Sequence, residues 1–225
     1  MSERRDEILK ELGLWPQWRL RAGNDTSGAL VVADDRRARI LHMEWRELKA
    51  SVAVCQDCPL HVKRTQSVFG VGDEKADWLF IGEGPGAEED AKGEPFVGQA
   101  GKLLDSMLAA IDLKRGANVY IANVVKCRPP ENRNPEPHEA QQCEPYLERQ
   151  IALIEPRLIV ALGRVAVQHL LNTDATISSL RGRLHRYRDI PLIVTYHPAY
   201  LLRNLPDKAK AWADLCFARK TMREL

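Results

Sequence analysis

Residues 77–90 read DWLFIGEGPGAEED, an apolar run that stops at a cluster of glycines. Trp78, Leu79, Phe80 and Ile81 are consecutive large apolar side chains with no polar alternation, the pattern of a strand buried on both faces. Gly82, Gly84 and Gly86 then permit a tight turn, and Pro85 stiffens it while removing one backbone donor. Glu83, Glu88, Glu89 and Asp90 crowd into the same loop. A loop that cradles phosphate needs neutral or basic lining, so this one suits a polar, neutral ligand.

Downstream, the alternation repeats. NVYIANVV (118–125), RLIVALG (157–163) and residues 191–196 are further apolar runs. Helical patterns separate them. Gln99 to Ile111 carries Leu103, Leu104, Met107, Leu108 and Ile111 as one stripe. A helix from about Glu139 is expected to break or restart at Pro145, and RVAVQHLL (164–171) follows the third strand with His169 in a structural role. The arginine-rich stretch 181–188 reads as a hairpin arm leading into the fourth strand. The last helix, Asp207 to about Glu224, is expected to bury Trp212, Leu215 and Cys216 beside Ala209. Strands alternating with helices predict an α/β fold, a three-layer α/β/α sandwich around a central four-stranded, mainly parallel sheet. The unusual loops GEGPG, KCRPPENRNP and HPAYLLR each follow a strand. In open α/β sheets such loops converge at the carboxyl ends of the strands, where ligands bind.

Residues 1–50 read as an N-terminal appendage, leaving 51–225 as the main domain. Ile8, Leu9, Leu12 and Trp15 lie at helical spacing up to Pro16, AGNDTSG is a loop and ALVVAD a short extended segment. Trp15, Trp18 and Trp45 read as packing residues. A helix over Glu44 to Val54, with Trp45, Leu48 and Val52 on one face, ends at CQDC.

Over 225 residues, 44% are hydrophobic and 28% charged, as in globular proteins. The net charge of +2 provides no global basic field. The N-terminus MSERRDEILK lacks the apolar core of a leader, and no run reaches membrane-spanning length. A cytoplasmic protein with no membrane partner is the expectation. Cysteines in that compartment are thiols or metal ligands. Cys55 and Cys58 form C-x2-C, and Cys127 and Cys143 form C-x15-C after a long gap. Four thiolates brought together in this way suit one metal centre, and spacing leaves zinc and [4Fe-4S] both open.

From about Cys55 to Arg219 the chain resembles the iron–sulfur (family 4) uracil-DNA glycosylases. The resemblance rests on the CxxC, GEGPGAEED, EPFVGQAGKLL, YIANVVKCRPPENRNP and YHPAYLLR. It implies that Cys55, Cys58, Cys127 and Cys143 hold a structural [4Fe-4S] cluster. It further implies that Phe96 stacks on an extruded uracil, that Asn123 reads the Watson–Crick edge, and that backbone groups at Glu83 and Gly84 hold the base from another side. His197 would hydrogen-bond O2 of the departing base. Leu201 resembles the wedge that fills the vacated stack, and Arg203 and Arg183 would meet phosphates. The best-known uracil glycosylases carry a water-activating aspartate where this chain has Gly84. Glu83, Glu89 and Asn132 are the candidates to position the water, and Glu89 would alternatively exclude thymine at C5. The function so implied is monofunctional excision of uracil from single- or double-stranded DNA by a monomer. The competing reading is a non-catalytic iron–sulfur or zinc protein that binds nucleic acid and senses damage. Phosphoryl hydrolysis fails on the acidic glycine loop, which has no P-loop lysine.

Overall fold

A computed structural model of the chain describes residues 35–225, together with Arg4, Glu7 and positions 10–12. The expectations for Ile8, Leu9, Trp15, Trp18, the AGNDTSG loop and the ALVVAD segment lie outside the described residues. The chain divides between Ala38 and Arg39. Residues 39–225 form a compact unit whose core includes Ile40 and Leu48, so it starts ahead of residue 50. Helix α1 (Trp45–Val54) buries Leu48 and Val52. Trp45 sets its ring edge-on to Phe69 and Tyr120, with centroids 5.3 and 5.4 Å away.

Six strands form one sheet: β1 (Val71–Gly72), β2 (Trp78–Gly82), β3 (Val119–Asn123), β4 (Leu158–Leu162), β5 (Leu184–Tyr187) and β6 (Ile190–Thr195). Their spatial order is β1-β3-β2-β4-β6-β5. The four inner strands are mutually parallel and are the four legible as apolar runs. The sheet exceeds the expected four strands because an antiparallel strand closes each edge. β1 is two residues long, too short to show a pattern, and β5 is the expected hairpin arm. From β2 the chain passes to β3 on one side, then back to β4 on the other. That reversal opens a crevice at the carboxyl end of β2.

Successive residues of the inner strands feed two cores. Leu79, Ile81, Tyr120, Ala122, Ile159, Ala161, Leu192 and Val194 face one side, whereas Trp78, Phe80, Val119, Ile121, Leu158, Val160 and Ile193 face the other. The first side is covered by α1, α4 (Pro137–Ile154) and α5 (Arg164–Leu171). The second is covered by α3 (Gln99–Ala109), α7 (Pro198–Arg203) and α8 (Lys208–Glu224). The short helices α2 (Ala87–Lys92) and α6 (Ile177–Leu180) complete the set used below. This is the three-layer sandwich the alternation predicts.

Two local expectations need correction. Helix α4 runs unbroken through Pro145, and the carbonyl whose bond proline forfeits belongs to exposed Gln141, where water can reach it. Cys216 is exposed and Trp212 is 47% exposed. Helix α8 instead turns Ala211, Leu215 and Ala218 inward, and the residue after Leu215 is carried about 100° round the helix. Among the described residues no helix is long and apolar enough to cross a membrane.

Candidate active site

The loop after β2 stays tied to β3 beyond the sheet: Val124 N–H donates to Gly82 O at 3.0 Å and Val125 N–H to Glu83 O at 3.1 Å. Gly82 pairs directly with Asn123. A Cβ on Gly82 would come within 2.6 Å of both Asn123 Oδ1 and Phe96 Cζ, so glycine is required for these two side chains to meet. Asn123 is 2% exposed, and its Oδ1 is buried with no hydrogen-bond partner among the described residues. An orphan acceptor is costly unless something else satisfies it.

Phe96 lies on the loop before α3, and His197 caps α7. Their ring centroids are 5.4 Å apart, tilted by 31°. His197 Nδ1 accepts the Ala199 N–H at 3.2 Å, which leaves the proton of the neutral ring on Nε2. Burial, reinforced by the positive charge of Arg203, lowers the His197 pKa to about 4. Phe96, Asn123 and His197 line one cleft of about 370 Å³ together with Glu83, Gly84, Glu89, Asn132 and Arg203. Loops after β2, β3 and β6 and before α3 therefore converge there, as their positions after strands require.

The acids of the glycine loop divide by what they touch. Glu89 spends Oε2 on Gly86 N–H at 3.1 Å and Oε1 on Val97 N–H at 2.9 Å and Gly98 N–H at 3.2 Å. Both its oxygens are committed to backbone. Asp90, 3% exposed, accepts from Thr65 N–H at 2.9 and 3.0 Å, which anchors the segment following the CxxC. Asn132 Oδ1 accepts from Arg128 Nε at 2.8 Å. Glu83 differs: its carboxylate takes no hydrogen bond among the described residues. Burial raises its pKa above 4.5 against the opposing charge of Arg203.

Leu201, expected as a wedge, is 1% exposed and packs in the second core. The solvent-facing leucine of that turn is Leu202, 41% exposed. Arg183 is exposed just before β5 and does not line the cleft. Of its neighbours, Arg181 is held by Asp214, Arg186 by Asp189 O and Arg188 by Glu148.

Cys55, Cys58, Cys127 and Cys143 line a second, small cavity with Asp57, His61, Lys126 and Tyr146. None is in a disulfide. Cationic and amide donors point at the sulfurs: Arg64 Nη1 lies 2.8 Å from Cys127 Sγ, and Lys126 N–H 3.3 Å from Cys143 Sγ. Burial raises the thiol pKa values, that of Cys143 to about 12. Lys126 is 1% exposed and its Nζ donates to Asn123 O at 2.8 Å. One side chain thus joins the cysteine cavity to the strand end that carries Asn123. Nothing in the motif marks Lys126, Asp90 or Arg115 (below) as site-building residues. Their partners are 3 to 25 residues away, and only folded geometry reveals them.

The sequence that builds this cleft, at the crevice of a parallel α/β sheet with a thiol-lined cavity behind it, matches a known group. The profile of the uracil DNA glycosylase superfamily matches residues 69–216, and the chain belongs to that superfamily. Among curated relatives it is 47% identical over 164 residues to a type-4 uracil-DNA glycosylase of Archaeoglobus fulgidus, covering 69% of this chain and 82% of the relative. It is 40% identical over 181 residues to the type-4 enzyme of Pyrobaculum aerophilum, covering 77% and 92%. It is 44% identical over 166 residues to that of Sulfurisphaera tokodaii, covering 70% and 76%.

Proposed function

We propose that the unit 39–225 is a monofunctional uracil-DNA glycosylase of base-excision repair. It draws a deoxyuridine out of DNA and hydrolyses the bond between uracil N1 and C1′. Water supplies the hydroxyl to C1′ and a proton to the base, leaving an abasic site. The observation that carries this reading is the unpartnered, buried Oδ1 of Asn123 in the same cleft as Phe96 and His197.

Extruding a nucleotide costs a few kcal/mol of stacking and pairing, which the cleft must recover. Phe96 offers the stacking face. Asn123 Oδ1 accepts from uracil N3–H while its amide donates to O4. Cytosine presents the opposite pattern at both atoms and leaves the buried amide unpaired. As the glycosidic bond breaks, negative charge gathers on O2, and the Nε2–H of His197 donates to it, as in an oxyanion hole. Glu83, whose carboxylate is uncommitted, positions the water. Glu89 and Asn132 leave that role because their acceptor oxygens are already occupied. Arg203 and exposed Arg183 meet backbone phosphates, and the wedge passes from buried Leu201 to Leu202. The enzyme acts as a monomer on single- or double-stranded DNA, and residues 1–38 are an appendage to it.

The four cysteines hold a [4Fe-4S] cluster that supplies structural support and takes no part in bond cleavage. One observation favours it over zinc. Tetrahedral Zn–S bonds of 2.3 Å place sulfurs about 3.8 Å apart. Among the described residues, however, the one trio of metal-capable ligand atoms within 4.8 Å of one another is Glu136, His138 and Glu139, and no three cysteine sulfurs come so close. The Arg64 side chain and Lys126 backbone donors suit sulfurs that carry negative charge, as thiolate ligands of either centre do.

The direct test incubates the protein with a uracil-containing oligonucleotide, single- and double-stranded, and then with alkali. Strand scission at uracil is expected. Salt-dependent binding with no base release on either substrate would establish the non-catalytic reading instead.

Two predictions arise here. Asn123→Asp removes the amide donor for O4 and is expected to erode the uracil-over-cytosine preference by about two orders of magnitude. Paired single-turnover rates on the two bases check this, and an unchanged ratio would remove Asn123 from base reading. The pH profile follows from His197 and Glu83. Neutral His197 is the active form and persists down to about pH 4, so it contributes no acid limb near the ordinary 6.5. Glu83 acts as carboxylate, with its pKa raised by burial, and activity falls as pH drops through that raised value. Glu83→Gln is expected to lower the rate and abolish the limb. The unfolded chain binds a proton at His197 below about pH 6.5, whereas the folded chain does so only near 4. The residue's contribution to stability is therefore full above 6.5 and is lost as pH falls toward 4.

A further inference from the structure

The stacking residue sits on backbone that must be held in place. Phe96 has φ of 56°, in the left-handed region that bulky side chains avoid. Arg115 lies on the turn between α3 and β3. It places Nη1 2.8 Å from Pro95 O and Nη2 2.8 Å from Phe96 O. Its Nε lies 2.9 Å from Asp105 Oδ1 on α3. One guanidinium thus holds two successive carbonyls, while a carboxylate on a regular helix aims it. On the other flank, Glu89 Oε1 takes the next two amides, those of Val97 and Gly98. Gly101 gives the loop room, since a Cβ there would lie 1.8 Å from Phe96 O. The loop is gripped by a cation on its carbonyls and by an anion on its amides, and Phe96 is the residue between the two grips.

We infer that Arg115, aimed by Asp105, is a positioning residue for base recognition. It fixes the stacking ring without lining the cleft or touching the base. This rests on the reading of Phe96 as the stacking face given above. The fork matters as much as the charge. Three bonds in one plane to two carbonyls and a carboxylate suit a planar guanidinium, and an ammonium cannot reproduce them. Small misplacements of positioning groups cost large factors in rate.

The test combines Arg115→Gln, Arg115→Lys, Asp105→Asn and Phe96→Ala, measured by single-turnover excision, inhibition by free uracil and affinity for abasic-site DNA. Arg115→Gln is expected to slow excision about tenfold and to weaken uracil inhibition by a similar factor. DNA affinity should stay within about twofold, because the phosphate contacts are elsewhere. Arg115→Lys should recover little of the loss. On a Phe96→Ala background Arg115→Gln should add less than about twofold, since the device then has nothing to position. Its full effect on that background, or wild-type rate and uracil inhibition in Arg115→Gln alone, would overturn the inference while leaving the proposed function intact. A Phe96→Ala enzyme as fast as wild type would overturn the stacking role and the inference with it. Should Arg115→Gln fail to fold, Asp105→Asn carries the test. Asp105 is half exposed, and the substitution removes the charge that aims the guanidinium while leaving the carbonyl bonds in place. The expectation is then about a threefold loss that vanishes without Phe96, and a loss that survives would overturn the inference.

Discussion

His197→Ala is expected to slow uracil excision by about two to three orders of magnitude, the cost of one missing donor at a developing oxyanion. Substrate binding should change little, because the interaction strengthens only as charge moves onto O2. The geometry makes the residue more than a generic histidine. Ala199 N–H occupies Nδ1, so the ring cannot turn to offer the other nitrogen without stranding a backbone donor. The side chain also caps α7, and losing a cap costs about 0.5–2 kcal/mol of stability. Rates should therefore be compared well below the melting temperature of the variant. A single-turnover rate within threefold of wild type would take His197 out of the reaction.

The second large effect lies behind the cleft. Cys127→Ser is expected to abolish visible iron–sulfur absorption and to remove most of the soluble, folded protein at the same time. Cys127 and Cys143 are buried; the Arg64 guanidinium points at Cys127 and the Lys126 backbone amide at Cys143. Without an anionic group at these sulfurs, the buried Lys126 ammonium beside them becomes an uncompensated charge, at a cost of about 3–5 kcal/mol. That is a large part of the 5–15 kcal/mol that holds a typical domain together. Absorption spectra, iron content and thermal melting of wild type and variant check this together. A variant that keeps its colour and its melting temperature would contradict the assignment, and a colourless, fully metallated wild type would point to zinc.

How much of this was legible in the sequence depends on where the determining contacts lie. The buried strand and its glycines announce themselves because four apolar residues and a turn are local. The convergence of Phe96, Asn123 and His197 follows from the rule that loops after parallel strands gather at one rim. By composition the acids of GEGPGAEED suit a ligand pocket, but Glu89 and Asp90 are consumed by amides of neighbouring loops. Composition cannot say whether a carboxylate faces a ligand or a backbone. Leu201 is buried and Cys216 exposed, against expectation, for a related reason, since a one-residue rotation of a helix exchanges inside for outside. Arg115 carries no signal at all, because two of its three partners are carbonyls, which every residue possesses, and the third is a helix carboxylate 10 residues away.

Lys126 gives a last consequence. Its ammonium holds the carbonyl of Asn123, and its own amide donates to Cys143 Sγ, 17 residues on in helix α4. The proposed base-reading residue and the cysteine cavity thus share one short piece of chain. A change that disturbs the cysteine cavity should therefore yield an inert polypeptide and not one that has merely lost its preference among bases.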